Sequence, residues 1–220
     1  MGKALALFLL LVSDNRAQIP AAPWPSRTVM DLWPEQTVSV ARLRHKLISG
    51  AVAAYSRALK LARAGAWDVG AKELENAVAI DPDFSEAHGN LGVHYLRLGR
   101  VEHAAGELRR AIHLDPSCSI HHSNLAVAMF LLQRPKEAEA EAQAAIGLDQ
   151  ANFRAHYVLG FLLSHRSEAR EEAADHLLYA ARAIPEAHLV LAQLFRAQGD
   201  DQRATLEADR YKVAAAHRNQ

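Results

Sequence analysis

The sequence predicts an all-α fold, a solenoid built from helical hairpins. Three observations predict it. One pattern recurs at a fixed interval, with His88, His122 and His156 at equivalent places. Within each copy, apolar residues return at helical spacing in two successive stretches. Gly and Asp-Pro stand where those stretches must stop, as at Gly99 and at Asp115-Pro116. In such a repeat each hairpin leaves an apolar face open, and the next hairpin closes it.

The clearest copy spans residues 85–118. Its first helix carries Ala87, Leu91, Tyr95 and Leu98; its second carries Val101, Ala104, Ala105, Leu108, Ala111, Ile112 and Leu114. Gly92 sits mid-helix, although Gly there costs ~1 kcal/mol relative to Ala. Its presence opposite Ala104 implies two helices that cross closely. Leu91, Leu108 and Ile112 fill the space beside the crossing, each worth ~1.5–3 kcal/mol when buried.

These residues resemble the tetratricopeptide repeat family. His88, Leu91, Gly92, Tyr95, Ala104, Leu108, Ala111 and Pro116 occupy the signature places of that family, and Leu125, Ala126, Leu159 and Gly160 repeat them further on. The resemblance covers residues 51–216. It implies a helical-hairpin solenoid that works as a non-enzymatic scaffold. The first helices would line a surface that holds a protein or peptide partner. The helical lead-in and the strings SEAHGNLG and PEAHLVLAQLF resemble exported bacterial members of the family.

In chain order, residues 1–17 have the layout of a signal peptide: Lys3, then an apolar run from Ala4 to Val12 too short to span a bilayer. An amphipathic or buried N-terminal helix is the alternative. A cleaved signal places the mature chain outside the cytoplasm, periplasmic or secreted, without an integral membrane span. Residues 18–35 contain Pro20, Pro23, Pro25 and Pro34, which keep the segment extended. They also carry Trp24, Met30, Leu32 and Trp33, so the segment is either a tether or a strip that covers an apolar edge of the solenoid. Residues 36–50 read as an N-terminal capping helix, with Val38, Val40, Leu43 and Leu47 as its stripe and a basic cluster on its solvated face.

Five repeats follow: 51–84, 85–118, 119–152, 153–185 and 186–216. In the first, Ala54, Ala58 and Leu61 face Leu74, Ala77 and Ile80, and Gly70 stands where the family usually has Ala. In the third, Pro135 opens the second helix, where its missing N–H does no harm. Gln150 replaces the terminal proline there, which predicts a looser corner. The fourth has an internal turn, Ser164 to Arg170, slightly longer than the others. The fifth is shortened; its last helix, 202–216, is polar enough to serve as a C-terminal cap, with 217–220 as a tail.

Composition narrows the function further. The chain has 25 basic and 25 acidic residues, and removing 1–17 leaves 23 and 24. Such balance argues against nucleic acid as a partner, which would call for a basic face. Cys118 is the lone cysteine, so neither an internal disulfide nor a paired-Cys metal site can form. There is no HExxH, no GxSxG and no glycine-rich phosphate loop. Twelve His residues invite a metal reading. However, His88, His122, His156 and His188 occupy one slot in successive hairpins, ~8–10 Å apart, whereas shared ligands need bonds of ~2 Å. They are expected inside the hairpins, with no cofactor and no metal.

The candidate partner-binding groove follows from the family pattern. Its inward places hold Glu86, Val93 and Arg97 in the second repeat, Ile120, Val127, Phe130 and Leu131 in the third, and Arg154, Tyr157 and Phe161 in the fourth. The residues with which some family members clamp a terminal carboxylate are absent, although Asn90 and Asn124 remain nearby. The groove is expected to be apolar in its middle. Its occupant is a protein or peptide of unknown identity, the Trp24–Trp33 segment, or a second copy through self-association.

Overall fold

The computed structural model of the chain describes residues 46–218. The signal segment 1–17, the segment 18–35 and all but the end of the proposed capping helix (46–50) lie outside the described residues. Of that end, 46–48 have no regular structure, and Ser49 and Gly50 belong to the first helix.

The described helices are α1 (Ser49–Arg63), α2 (Trp67–Ile80), α3 (Ser85–Arg97), α4 (Val101–Leu114), α5 (Ser119–Leu131), α6 (Pro135–Leu148), α7 (Phe153–Ser164), α8 (Arg170–Ala180), α9 (Glu186–Ala197) and α10 (Asp201–Arg218), with a 3-10 turn at Ser167–Ala169. The described residues contain no strand. The chain divides into two compact units, and the division falls inside α7, between Leu159 and Gly160. In the unit ending at Leu159, α1 packs on α2, α3 on α4 and α5 on α6, while α2 meets α3 and α4 meets α5. In the unit beginning at Gly160, α8 packs on α9 and α9 on α10. The last helix runs to Arg218, into the stretch read from sequence as a tail.

The crossings are as close as the small residues imply. A Cβ on Gly92 would stand 2.6 Å from Leu108 Cγ and 3.2 Å from the Ala104 carbonyl; one on Gly160 would stand 2.8 Å from Leu177 Cγ. Leu91, Tyr95, Leu108, Ala111, Leu125, Ala126 and Leu159 are all buried. Pro116 is exposed, so its contribution is to end α4 rather than to pack.

The turns inside the hairpins use left-handed backbone. Gly65, Gly99 and Gly199 have φ of 74°, 73° and 78°, and in the third hairpin Gln133 takes the same place at 57°. The corners between hairpins close by an aspartate that accepts from a backbone N–H just beyond it. Asp81 Oδ1 accepts from Asp83 N at 3.3 Å, Asp115 Oδ1 from Ser117 N at 3.2 Å, and Asp149 Oδ1 from Ala151 N at 2.9 Å. The third corner therefore closes as the others do despite Gln150, because the aspartate rather than the proline makes the turn. The corner before α9 is different. Helix α8 ends at Ala180, and Ile184, within the turn that follows, is 1% exposed.

A candidate partner-binding groove

The first helices of the hairpins carry the candidate groove. Within the unit ending at Leu159 they are α1, α3, α5 and the start of α7. Two side-chain bonds join facing residues in pairs of neighbouring first helices. Asn90 Nδ2 donates to the Tyr55 hydroxyl at 2.7 Å, joining α3 to α1. The Arg154 guanidinium donates to Asn124 Oδ1, joining α7 to α5. Both asparagines are nearly fully buried, and the Asn124 Nδ2 donor has no hydrogen-bond acceptor among the described residues.

The apolar members lie on the same helices. Val93 is 5% exposed, Val127 4% and Tyr157 1%. Ile120, Phe130 and Leu131 are half-buried. Arg97 lies with its guanidinium 4.8 Å from the centre of the Trp67 ring, a cation–π contact. Arg154 is held well below the usual arginine range, at about 10, first by burial and second by the charge of Arg97. The two cations are thus close enough to feel each other. Phe161 lies in the other unit, on the same helix as Tyr157, and is 3% exposed.

The repeated histidines have a partner that sequence spacing alone did not reveal. His88 Nδ1 meets Glu107 Oε2 at 2.7 Å, His122 meets Glu141 at 2.7 Å, and His188 meets Glu207 at 2.6 Å. Each glutamate follows its histidine at the same interval, on the second helix of the same hairpin. Nε2 of His88 donates to the Pro82 carbonyl at 3.0 Å, and that of His122 to the Pro116 carbonyl at 3.3 Å. The hydrogen bond to Glu141 raises the His122 pKa. At His88, His122 and His188 the slot faces into the hairpin as expected and its occupant clips one helix to the other, while His156 Nε2 meets the Gln150 carbonyl at 3.1 Å. Among the described residues no group of three His, Cys, Asp or Glu is placed to hold a metal ion.

Two further histidines were not singled out from sequence. His94 packs over Gly70, where a Cβ would come within 2.5 Å of its ring, and His121 packs over Gly89 at 2.4 Å. His94 Nδ1 donates to the Trp67 carbonyl at 3.0 Å, and His121 Nε2 lies 3.1 Å from the Ser85 hydroxyl. Burial lowers both pKa values, that of His121 to about 4. The unusual Gly70 was visible in the sequence; the histidine of the next hairpin that requires it was not. Cys118 is half-buried at the start of α5, and burial pushes its thiol up, away from the reactive thiolate.

Known proteins bear directly on this geometry. The tetratricopeptide repeat model matches residues 55–117 and 103–153, the stretch that carries the hairpins and most of the row of groove residues. The chain belongs to the tetratricopeptide repeat family. Among solved structures, PilW, a widely conserved type IV pilus biogenesis factor, matches 77% of this chain and 79% of its own, with a TM-score of 0.68 and 19% identity. MamA from Desulfovibrio magneticus RS-1, residues 41 to the end, matches 80% of this chain and 99% of its own at a TM-score of 0.64 and 17% identity. YrrB, a tetratricopeptide-repeat protein with an unusual peptide-binding site, matches 73% and 84% at a TM-score of 0.57 and 16% identity. At these identities the likeness establishes the fold. No curated protein matches the sequence. Among the described residues of this tetratricopeptide-repeat protein, no helix is long and apolar enough to cross a membrane.

Proposed function

We propose that this tetratricopeptide-repeat protein is a non-enzymatic scaffold. Its groove, on α3, α5 and α7, holds an extended segment of a protein partner, and it acts outside the cytoplasm. One observation carries the reading: the row of Val93, Val127 and Tyr157 runs beside a buried Asn124 amide that still has a donor to give. Apolar side chains of a bound segment would be taken by the row, and a backbone carbonyl by the amide. The cations Arg97 and Arg154 favour a segment that places a carboxylate beside its apolar residues. The fold supports this reading, since hairpin arrays present long surfaces built from equivalent places of successive repeats.

The test is capture of partners from envelope extracts by Phe130→Asp, at a half-buried place, with Arg97→Glu as a second variant. Both are expected to lose capture while circular dichroism stays parental; capture at full strength would place the binding surface elsewhere. An accessory or assembly subunit of an envelope enzyme or secretion complex is the alternative. It predicts one stoichiometric complex, whereas a general scaffold returns several transient clients. Sequencing the N-terminus of the native protein tests export, which requires that residues 1–17 be missing.

A further inference from the structure

We propose that His88 and His122 are proton-operated clasps. The doubly protonated ring ties the second helix of its hairpin to the corner that precedes the first, and loss of one proton frees that corner. The second and third hairpins then sit more loosely on their predecessors as pH rises. These clasps act whatever partner the groove holds.

The proton count is the reason. Nδ1 of His88 meets the Glu107 carboxylate at 2.7 Å, and its Nε2 meets the Pro82 carbonyl at 3.0 Å. Nδ1 of His122 meets Glu141 at 2.7 Å, and its Nε2 meets the Pro116 carbonyl at 3.3 Å. Every partner here is an acceptor. A neutral imidazole carries one N–H, so it serves one partner and turns a lone pair on the other. The imidazolium donates both ways. Glu107 and Glu141 keep 30% and 28% of their side-chain surface exposed, so water holds the carboxylates ionised and the second proton stays on the ring.

Each ring joins three places. It stands near the start of α3 or α5, its carboxylate lies on α4 or α6, and its carbonyl belongs to the corner from α2 into α3 or from α4 into α5. When one proton leaves, the carboxylate keeps the remaining N–H, because a charged acceptor holds it more strongly than a neutral carbonyl. The corner carbonyl is therefore the one released. The corners set the rotation from one hairpin to the next, and that rotation sets the curvature of the array. His188 behaves differently. Its Nδ1 meets Glu207 at 2.6 Å, and among the described residues its Nε2 has no carbonyl partner. One proton satisfies this ring.

The surrounding charges leave the clasps free to titrate. Around His88 stand Glu107 and Arg110 from α4, Asp83 from the corner and His121 from α5. Arg110 donates to the Pro82 carbonyl at 3.4 Å and to Asp83 at 2.9 Å, so it keeps a hold on that corner. Around His122 stand Glu141 from α6 and the neighbouring His121, with Asp115 from the corner and Glu86 from α3, whose charges reach Cys118 at the start of the same helix. His121 feels both rings, but burial lowers it to about 4, so it is neutral where His122 titrates. The Glu141 bond raises the His122 pKa. The Pro116 corner is thus fully clasped below the unfolded value of ~6.5, and it is released as pH rises through the raised folded value.

The experiment uses the full chain with 15N-labelled histidine, followed by NMR from pH 5 to pH 9. Both ring nitrogens of His88 and His122 are expected to carry protons at the acid end, with Nε2 losing its proton first. Amide protection, taken relative to the unfolded chain at the same pH, should fall on the order of fivefold at residues 117–121 across the His122 titration. The fall should be smaller at 83–87, where Arg110 remains, and absent at 186–188. Glu141→Gln separates a clasp from simple packing. Its amide donates to the neutral ring and leaves the Nε2–H for Pro116, so protection of that corner should become independent of pH. Glu141→Ala should lower the protection at every pH. Loss of the proton from Nδ1 with Nε2 still protonated would overturn the proposal. So would corner protection that the titration does not move, an equal fall at all three corners, or an alkaline fall that persists in Glu141→Gln. The parental titration is decisive by itself should a variant not fold.

Discussion

The second and third hairpins make the same crossing from different residues. In the second, Gly92 admits Leu108, which is fully buried. In the third, one repeat further on, Ala126 and Ala142 hold those two places and are also fully buried. The repeat thus fills the crossing in two ways, a large residue over a glycine in the second hairpin and two small residues in the third. The second hairpin has the larger apolar side chain at that point, and burying a leucine is worth ~1.5–3 kcal/mol. The turns differ in the same sense. Gly99 takes a left-handed conformation at no steric cost, whereas Gln133 in the third hairpin takes it against one. Two local differences make the third hairpin the weaker of the pair.

The comparison can be broken most forcefully at Leu108. Leu108→Ala leaves a cavity in a site that Gly92 does not fill, at a cost of about 2–5 kcal/mol in urea denaturation. Adding Gly92→Ala imports the pairing of the third hairpin, and the double variant should recover ~1 kcal/mol relative to the sum of the singles. Strict additivity would mean that the two places do not share one volume. The reverse intrusion, Gly92→Leu, should overpack the same point and cost ~3 kcal/mol; a parental thermal midpoint would show that the crossing is not tight.

The adjacent residues His121 and His122 sharpen the contrast in their response to pH. His121 is buried with its folded pKa lowered to about 4, so its neutral form favours the fold above the unfolded value near 6.5, and that support is lost as pH falls from there towards 4. The loss is on the order of 3 kcal/mol, and His121→Gln should flatten the stability curve over that window. His122 has its pKa raised by Glu141. Its support is fully present below the unfolded pKa and is lost as pH rises through the raised folded value. Glu141→Gln should remove that alkaline loss and lower the His122 midpoint in an NMR titration. Opposite trends from two neighbours would confirm that one ring is desolvated and the other clipped to a carboxylate. The smallest effect is expected at the turns: Gln133→Gly should stabilise by ~1 kcal/mol, and Gly99→Gln should destabilise by a similar amount. Equal midpoints for both would remove the turn from the comparison.

Much of the hairpin framework was legible because it depends on local rules. A helix ends at a left-handed glycine or at an aspartate turn whatever surrounds it, and the apolar period states which face is inward. The candidate site was legible in part. Val93, Val127 and Tyr157 were named from their places in the repeat, but their near-complete burial was not. Arg154 was named among the inward places, but its bond to Asn124 was not. Gly70 was noticed as unusual without its cause.

What the sequence by itself determined is the phase of the repeat, the helix ends and the small residues at each crossing, because these follow from helical periodicity and backbone sterics within a few turns of chain. Tertiary structure alone decided which groups meet across that frame: His88 with Glu107, His94 over Gly70, His121 over Gly89, and Arg154 with Asn124 beside Arg97. Each of these pairs joins two different helices. Their pKa values, burial and charge depend on packing between helices, which periodicity orients but does not bring into contact.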